Sequence, residues 1–329
     1  IDFNRDNISD NLCTINNNPE ELLPFNMGLR SLIVEKFTDI LSSSKKPIIT
    51  GFMPPHIGIR IDDVMGKKID KYLPILLKHN WKPNLGIFTD SFKDYKNNIT
   101  KYISSQNNLN NIEISPHAYN VRNFIFHNYS NGKPLTEKTF KKNWNIVKEQ
   151  FKKCNFTICP VLNAHFHAFS KECFDILKKN GIKYIYSEFA PSKIMPIPNK
   201  KYLPSGDPIN TTGQASENII QVYSGDSVMC CNQKNSYYDF LMHTKNSNKI
   251  NNAFNRIVTR LNLSLKTGFA SFFTTHEYLL NKLNEDELSL LFEKIDSYIV
   301  KSKFSPVKTS LSEIGRNCEN HTNIIIYSI

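Results

Sequence analysis

No stretch of 18 apolar residues occurs in the 329-residue chain, so the sequence offers no transmembrane helix. The start as given shows no signal-peptide pattern, although Ile1 is not an initiator methionine and a leader ahead of it is compatible with the chain. No run of five or six basic residues appears either. The net charge of +11 is spread over pairs such as Lys67-Lys68, Lys152-Lys153, Lys178-Lys179 and Lys200-Lys201. With no recognisable nucleic-acid module, nucleic acid is not an expected partner. The charge instead suits an anionic partner such as an acidic glycan. Paired CxxC spacing is missing, and the seven cysteines cannot all pair within one chain. A reduced, cytoplasmic setting is the simpler expectation. No internal repeat is evident.

What is present is a folding composition: 40% hydrophobic and 22% charged residues, enough for a substantial core. Residues 1–45 begin polar and then carry an amphipathic stretch, Leu29 to Leu41, expected to pack as an N-terminal extension on the domain that follows. From residue 46 short apolar runs alternate with helical patterns. The strands are expected at Ile57–Ile61, Leu85–Phe88, Ile112–Ile114, Phe156–Leu162 and Ile182–Tyr186. Helices are expected at Ile69–Lys78, Lys138–Lys152 and Cys173–Asn180, the last with Gly181 in the C-cap region. Such alternation implies an α/β fold with a parallel sheet. Residues 190–250, rich in Pro, Asn and Ser, read as an irregular insertion. The pattern returns with a helix at Asn252–Leu263, a strand at Phe269–Thr274 and a helix at Glu285–Ile299, and Ile324–Tyr327 reads as a last strand. A single barrel of this length is ordinary.

Chemistry concentrates at the strand ends. The run Ile57-Gly58-Ile59-Arg60-Ile61 stops at Asp62 and Asp63, and Val64-Met65-Gly66 permits a turn there. Ile114-Ser115-Pro116 leads to His117; Val161-Leu162-Asn163-Ala164 leads to His165 and His167; Phe272-Phe273-Thr274-Thr275 leads to His276 and Glu277. Taken singly, an Asp pair is an ordinary helix cap and each histidine an ordinary structural residue. The chain has only nine histidines, and four of them fall at three of these ends. In a parallel α/β barrel the carboxyl ends of the strands are where catalytic groups gather.

In this order the motifs resemble the polysaccharide deacetylases, the family-4 carbohydrate esterases. Asp62-Asp63 resembles the family's first motif, Trp81 to Phe88 its second unit, His117 its first metal histidine, Phe174 to Ile182 the unit after its Arg-x-Pro-x-Gly motif, and Phe273-Thr274-Thr275-His276 its closing Leu-Thr-His. The resemblance spans about 48–190 and 252–300. It implies a distorted seven-stranded (β/α) barrel over residues 46–329, and a divalent metal, zinc foremost, held by Asp63, His117 and a third histidine. It also implies Asp62 as general base and His276 as general acid, with Asn163 or Glu277 orienting them. The implied reaction is metal-assisted removal of an acyl group, N-acetyl above all, from a carbohydrate or glycoconjugate.

Two departures stand out. The position four residues after His117, where the family places its second histidine, is Val121, and the Arg-x-Pro-x-Gly motif is replaced around Asn163–His167. His165 or His167 is expected to supply the missing ligand, His165 by preference, with His127 less favoured because its loop must fold back. The alternatives are a deacetylase-like protein that has lost the ion and only binds glycan, and a metal hydrolase acting on a non-carbohydrate amide.

Overall fold

The structure is a computed structural model and describes residues 48–49, 56–105, 111–128, 134–165, 169–187, 212–216, 219–223, part of 250–261, 272–302, 305–321 and 327–328. Leu29–Leu41 and His167 lie outside the described residues. Strand β1 runs His56–Val64, followed by α1 (Ile69–Lys78), β2 (Asn84–Phe88), α2 (Phe92–Ser105), β3 (Glu113–Ala118) and α3 (Glu137–Lys153). Then come β4 (Val161–Leu162), α4 (Phe174–Lys179), β5 (Tyr184–Ser187), β6 (Thr212–Ser216) and β7 (Ile219–Tyr223). The chain continues with β8 (Phe272–His276), α5 (Glu277–Leu280), α6 (Glu285–Lys301), β9 (Val307–Lys308) and α7 (Leu311–His321).

The strands form two sheets. One has the order β9-β1-β2-β3 with β8 also on β1, all parallel; the other has the order β4-β5-β7-β6, in which only the β6–β7 pair is antiparallel. The α/β fold with a parallel central sheet is as expected, but pairing does not run continuously round a closed seven-stranded barrel among the described residues. It breaks between β3 and β4, where a bond from the Cys159 N–H to the Ile114 carbonyl (2.9 Å) spans the gap. The expected strand Phe156–Leu162 shrinks accordingly to β4. Of the expected strand Ile324–Tyr327 only Tyr327 lies among the described residues, in a two-residue strand, Tyr327–Ser328, paired antiparallel with Ile48–Ile49 outside both sheets. Two strands, β6 and β7, occupy part of the expected irregular segment. Helix α2 was not anticipated, because its Asn- and Lys-rich sequence hides the two isoleucines, Ile99 and Ile103, that it buries.

Alternation along β1 builds two cores. Ile57, Ile59 and Ile61 face the helices, where Leu73 and Leu76 of α1, Trp144 and Val147 of α3 and Leu291, Phe292 and Ile295 of α6 complete the main apolar layer. Gly58, Arg60 and Asp62 alternate to the opposite face. There a smaller cluster, Val161, Tyr184, Tyr186, Phe272, Leu311 and Ile314, packs with α7 closing its lower end. A side chain at Gly58 would overlap Leu311 and Ile314, which is why β1 carries a glycine at this level. Strands buried on both faces read as nearly unbroken apolar runs.

Candidate metal centre

Strict alternation would send Asp63 away from Asp62 and into the helix layer. It does not, because Asp63 adopts a left-handed conformation, φ 54°, at a register irregularity between Ile61 and Val64 on the β2 side. Aspartate tolerates that region better than most residues. The reversal turns both carboxylates to the same end of the sheet. Gly66, at φ 79°, completes the turn, and a Cβ there would strike Ile99.

Glu277 holds this turn from below. Its carboxylate, 3% exposed, accepts from the Met65 N–H (2.7 Å), the Gly66 N–H (3.1 Å) and the Tyr72 hydroxyl (3.1 Å). Burial raises the Glu277 carboxyl above its ordinary value, against the lowering effect of these donors. Burial, reinforced by Glu277, pushes the Tyr72 phenol well up, so it stays a donor.

Asp63, His117 and His165 converge as a triangle. Asp63 Oδ1 lies 3.3 Å from His117 Nε2 and 3.2 Å from His165 Nδ1, and the two ring nitrogens are 3.1 Å apart. Ligand atoms bonded to one ion at about 2.0–2.1 Å stand roughly 2.9 Å apart at right angles and roughly 3.4 Å apart at tetrahedral angles, so the spacing fits a shared divalent ion. These three are the one such group of His, Cys, Asp or Glu among the described residues. His117 Nδ1 donates to the Asn163 carbonyl at 2.7 Å, so Nε2 is the ring nitrogen that faces the triangle. Burial pushes His165 below its ordinary value, favouring the neutral ring that a metal requires. Phe88 and Phe124 stand edge-on to His165, with ring centroids 5.2 and 5.3 Å away, and enclose the ligand side. For Asp63, burial acts upward, but hydrogen bonding to His117 and His165 and the charge of His276 hold it well below the usual carboxylate range.

Asp62 sits beside the triangle, 5% exposed. Arg60 Nε meets its Oδ1 at 2.5 Å and Asn163 Nδ2 donates to its Oδ2 at 3.2 Å. Burial raises this carboxyl, but Arg60 first, then His117 and His276, outweigh it and keep Asp62 ionised below its ordinary value. His276 is the β8 register partner of Asp62, and its Nε2 lies 3.8 Å from Asp63 Oδ2.

The fold superposes on a structure described as a candidate polysaccharide deacetylase from Mycobacterium smegmatis, with a TM-score of 0.56 at 11% identity over 85% of this chain and 95% of that one. The chain has the polysaccharide deacetylase fold. A CE4-family pseudoenzyme from Bacillus anthracis (11% identity, 80% of this chain and 66% of that one, TM-score 0.46) and the peptidoglycan deacetylase PdaC from Bacillus subtilis (10% identity, 83% and 96%, TM-score 0.42) are more remote matches. No family model and no curated protein matches the sequence.

On this deacetylase fold the expected residues separate cleanly. Asp62, Asp63, His117, His165, Asn163 and His276 gather at one end of the parallel strands, with Glu277 beneath them. His127 is buried, its Nδ1 facing the Asn128 carbonyl at 3.4 Å, and stands outside the Asp63–His117–His165 group. Val121 is more than half exposed in the turn between Asn120 and Asn123. Reading the strand ends missed Arg60 and Asn84, although an arginine inside an otherwise apolar strand is itself a signal, since buried arginine is rare unless paired. The described Cys154, Cys159 and Cys173 are free thiols, and burial pushes Cys159 up to about 12, an unreactive state.

Proposed function

We propose that the protein is a metal-dependent hydrolase that removes acyl groups, N-acetyl foremost, from a carbohydrate. The observation that carries this reading is the Asp63–His117–His165 triangle on a polysaccharide deacetylase fold, with Asp62 at its side paired to Arg60. Asp63, His117 and His165 would hold the ion, and zinc suits this N/O donor set. When bound there, a divalent ion would supply Lewis-acid polarisation of the acyl carbonyl and a water whose pKa is lowered towards about 7. Asp62 keeps lone pairs on both carboxylate oxygens beyond those used by Arg60 and Asn163, so it takes the proton of the attacking water. As water oxygen joins the carbonyl carbon and the C–N bond breaks, His276 gives a proton to the departing nitrogen. The products are a carboxylic acid and a free amine. A binding-only protein is the weaker reading: its ground was the loss of a ligand at Val121, and His165, in the segment after β4, stands beside Asp63 and His117 as a replacement for it.

The test is the purified full chain assayed for acetate release from N-acetylglucosamine oligomers, with bound metal measured by elemental analysis. One ion per chain is expected, with activity lost on chelation and restored by zinc, cobalt or nickel. A protein that takes up no ion and is not activated by any of the three refutes the reading.

A further inference from the structure

Beneath the site lies a side chain that the proposed chemistry does not use. Arg60 is fully buried, inside a strand that from Ile57 to the site is otherwise isoleucine, glycine and aspartate. Its Nε meets Asp62 Oδ1 at 2.5 Å, NH1 donates to Asn84 Oδ1 at 2.5 Å and faces Ser115 Oγ at 3.4 Å, and NH2 donates to the Asn163 carbonyl at 3.2 Å. These partners come from four strands or strand ends: β1, β2, β3 and the segment after β4. Below, Asn84 Nδ2 donates to Glu113 Oε2 at 3.2 Å, and the Glu113 carboxylate accepts the Ser312 N–H of α7 at 3.1 Å. A polar column thus runs from Asp62 to the first turn of the helix that closes the inner core.

Stability alone is a poor reason for such a residue. Desolvating an ion pair costs several kcal/mol per charge, and apolar side chains of similar volume often replace buried pairs with no loss. Geometry is the better reason. Arginine is a planar fork whose donors have fixed directions, so one guanidinium can set several acceptors relative to one another. Here two partners matter: the carboxylate of Asp62, held against the guanidinium as an ion pair, and the Asn163 carbonyl, which accepts from NH2 and also from His117 Nδ1. Gly86 makes room for the pair, since a Cβ there would lie 2.6 Å from both Arg60 NH2 and Asp62 Oδ1.

We propose that Arg60 is the positioning residue of this centre, a buried fork that orients the Asp62 carboxylate and, through the shared Asn163 carbonyl, the ring of the ligand His117. The inference rests on the hydrolase reading above. Lysine at this position keeps the charge and loses the fork; alanine at Gly86 keeps Arg60 and pushes a methyl group between it and Asp62.

The experiment compares wild type, Arg60→Lys and Gly86→Ala, each loaded with cobalt(II), by metal stoichiometry, visible absorption spectrum, thermal melting and kinetics on N-acetylglucosamine oligomers. Both variants are expected to bind one ion per chain with an altered cobalt spectrum. Their kcat should fall by roughly 10²-fold, the scale of a misplacement of about 1 Å, with KM unchanged. Wild-type kcat and spectrum in both variants, or a kcat loss that disappears when assays are run well below the variant's melting temperature, overturn the proposal. Should Arg60→Lys not fold, Gly86→Ala decides by the same readouts. A wild type that takes up no ion and releases no acetate overturns the hydrolase reading and this inference with it. An active wild type with unaltered variants overturns this inference alone.

Discussion

Asp62 and Asp63 are adjacent and chemically identical, yet the structure gives them different surroundings. Asp62 continues the alternation of β1 and lands on Arg60 and Asn163; Asp63 reverses through φ 54° and lands between two imidazoles. The separate roles proposed for them rest on that one backbone rotation. Asp63→Asn and His165→Ala are therefore expected to weaken ion uptake, whereas Asp62→Asn keeps the ion and loses turnover by about 10²- to 10⁴-fold, the usual worth of a general base. Equilibrium dialysis against zinc, run beside the acetate assay, separates the two effects. An Asp62→Asn protein with full activity would remove Asp62 from the chemistry.

Elements carry these side chains, and the turn after β1 is the most exacting of them. Glu277, the first residue of α5, ties that turn to the strand bearing His276, so the segments carrying Asp63 and His276 are joined through its carboxylate. Glu277→Ala would leave the Met65 and Gly66 N–H groups unanswered, at roughly 1–3 kcal/mol each. The pH dependence has a definite sign. Because the folded carboxyl of Glu277 is raised above 4.5, its contribution is complete below that value and is lost as pH rises through the raised value. Wild type should thus lose stability relative to Glu277→Gln as denaturation series climb from pH 4.5. A gap that does not change with pH would mean that Glu277 is ionised in the fold without penalty. The elements themselves were largely legible: α1 agrees with its expected bounds, α3 to within a residue at each end, and α6 at its start, since each buries a regular apolar stripe. β1 and β3 run on through Asp63 and His117 rather than stopping short, because buried ladder pairing extends a strand past the end of its apolar run.

At the scale of the molecule, the two apolar clusters divide the labour. The larger one holds helices to the sheets, and the smaller one, closed by α7, supports the floor under Arg60 and Asp62. Leu311 is fully buried, and its carbonyl accepts from the Tyr186 hydroxyl at 2.5 Å. Leu311→Ala should cost about 2–5 kcal/mol, measured by urea denaturation, with ion stoichiometry kept in the folded fraction. Loss of the ion without loss of stability would contradict this division. The sequence by itself determined the parallel α/β pattern, the order of the strand-end carboxylates and histidines, and the candidacy of Asp62, Asp63, His117, His165 and His276, because burial and alternation are written in local residue order. It left the third ligand open among three histidines, gave no reason to prefer Arg60 over any other strand residue, and implied a distorted seven-stranded barrel. Tertiary structure brings one of these histidines, His165, beside Asp63 and His117, gathers partners from four strands or strand ends round Arg60, and among the described residues leaves the pairing open between β3 and β4. Convergence of Asp63, His117 and His165 to within 3.3 Å, and of Arg60 on partners 24 to 103 residues away, depends on the register between strands and on one left-handed residue, neither of which has a local signature.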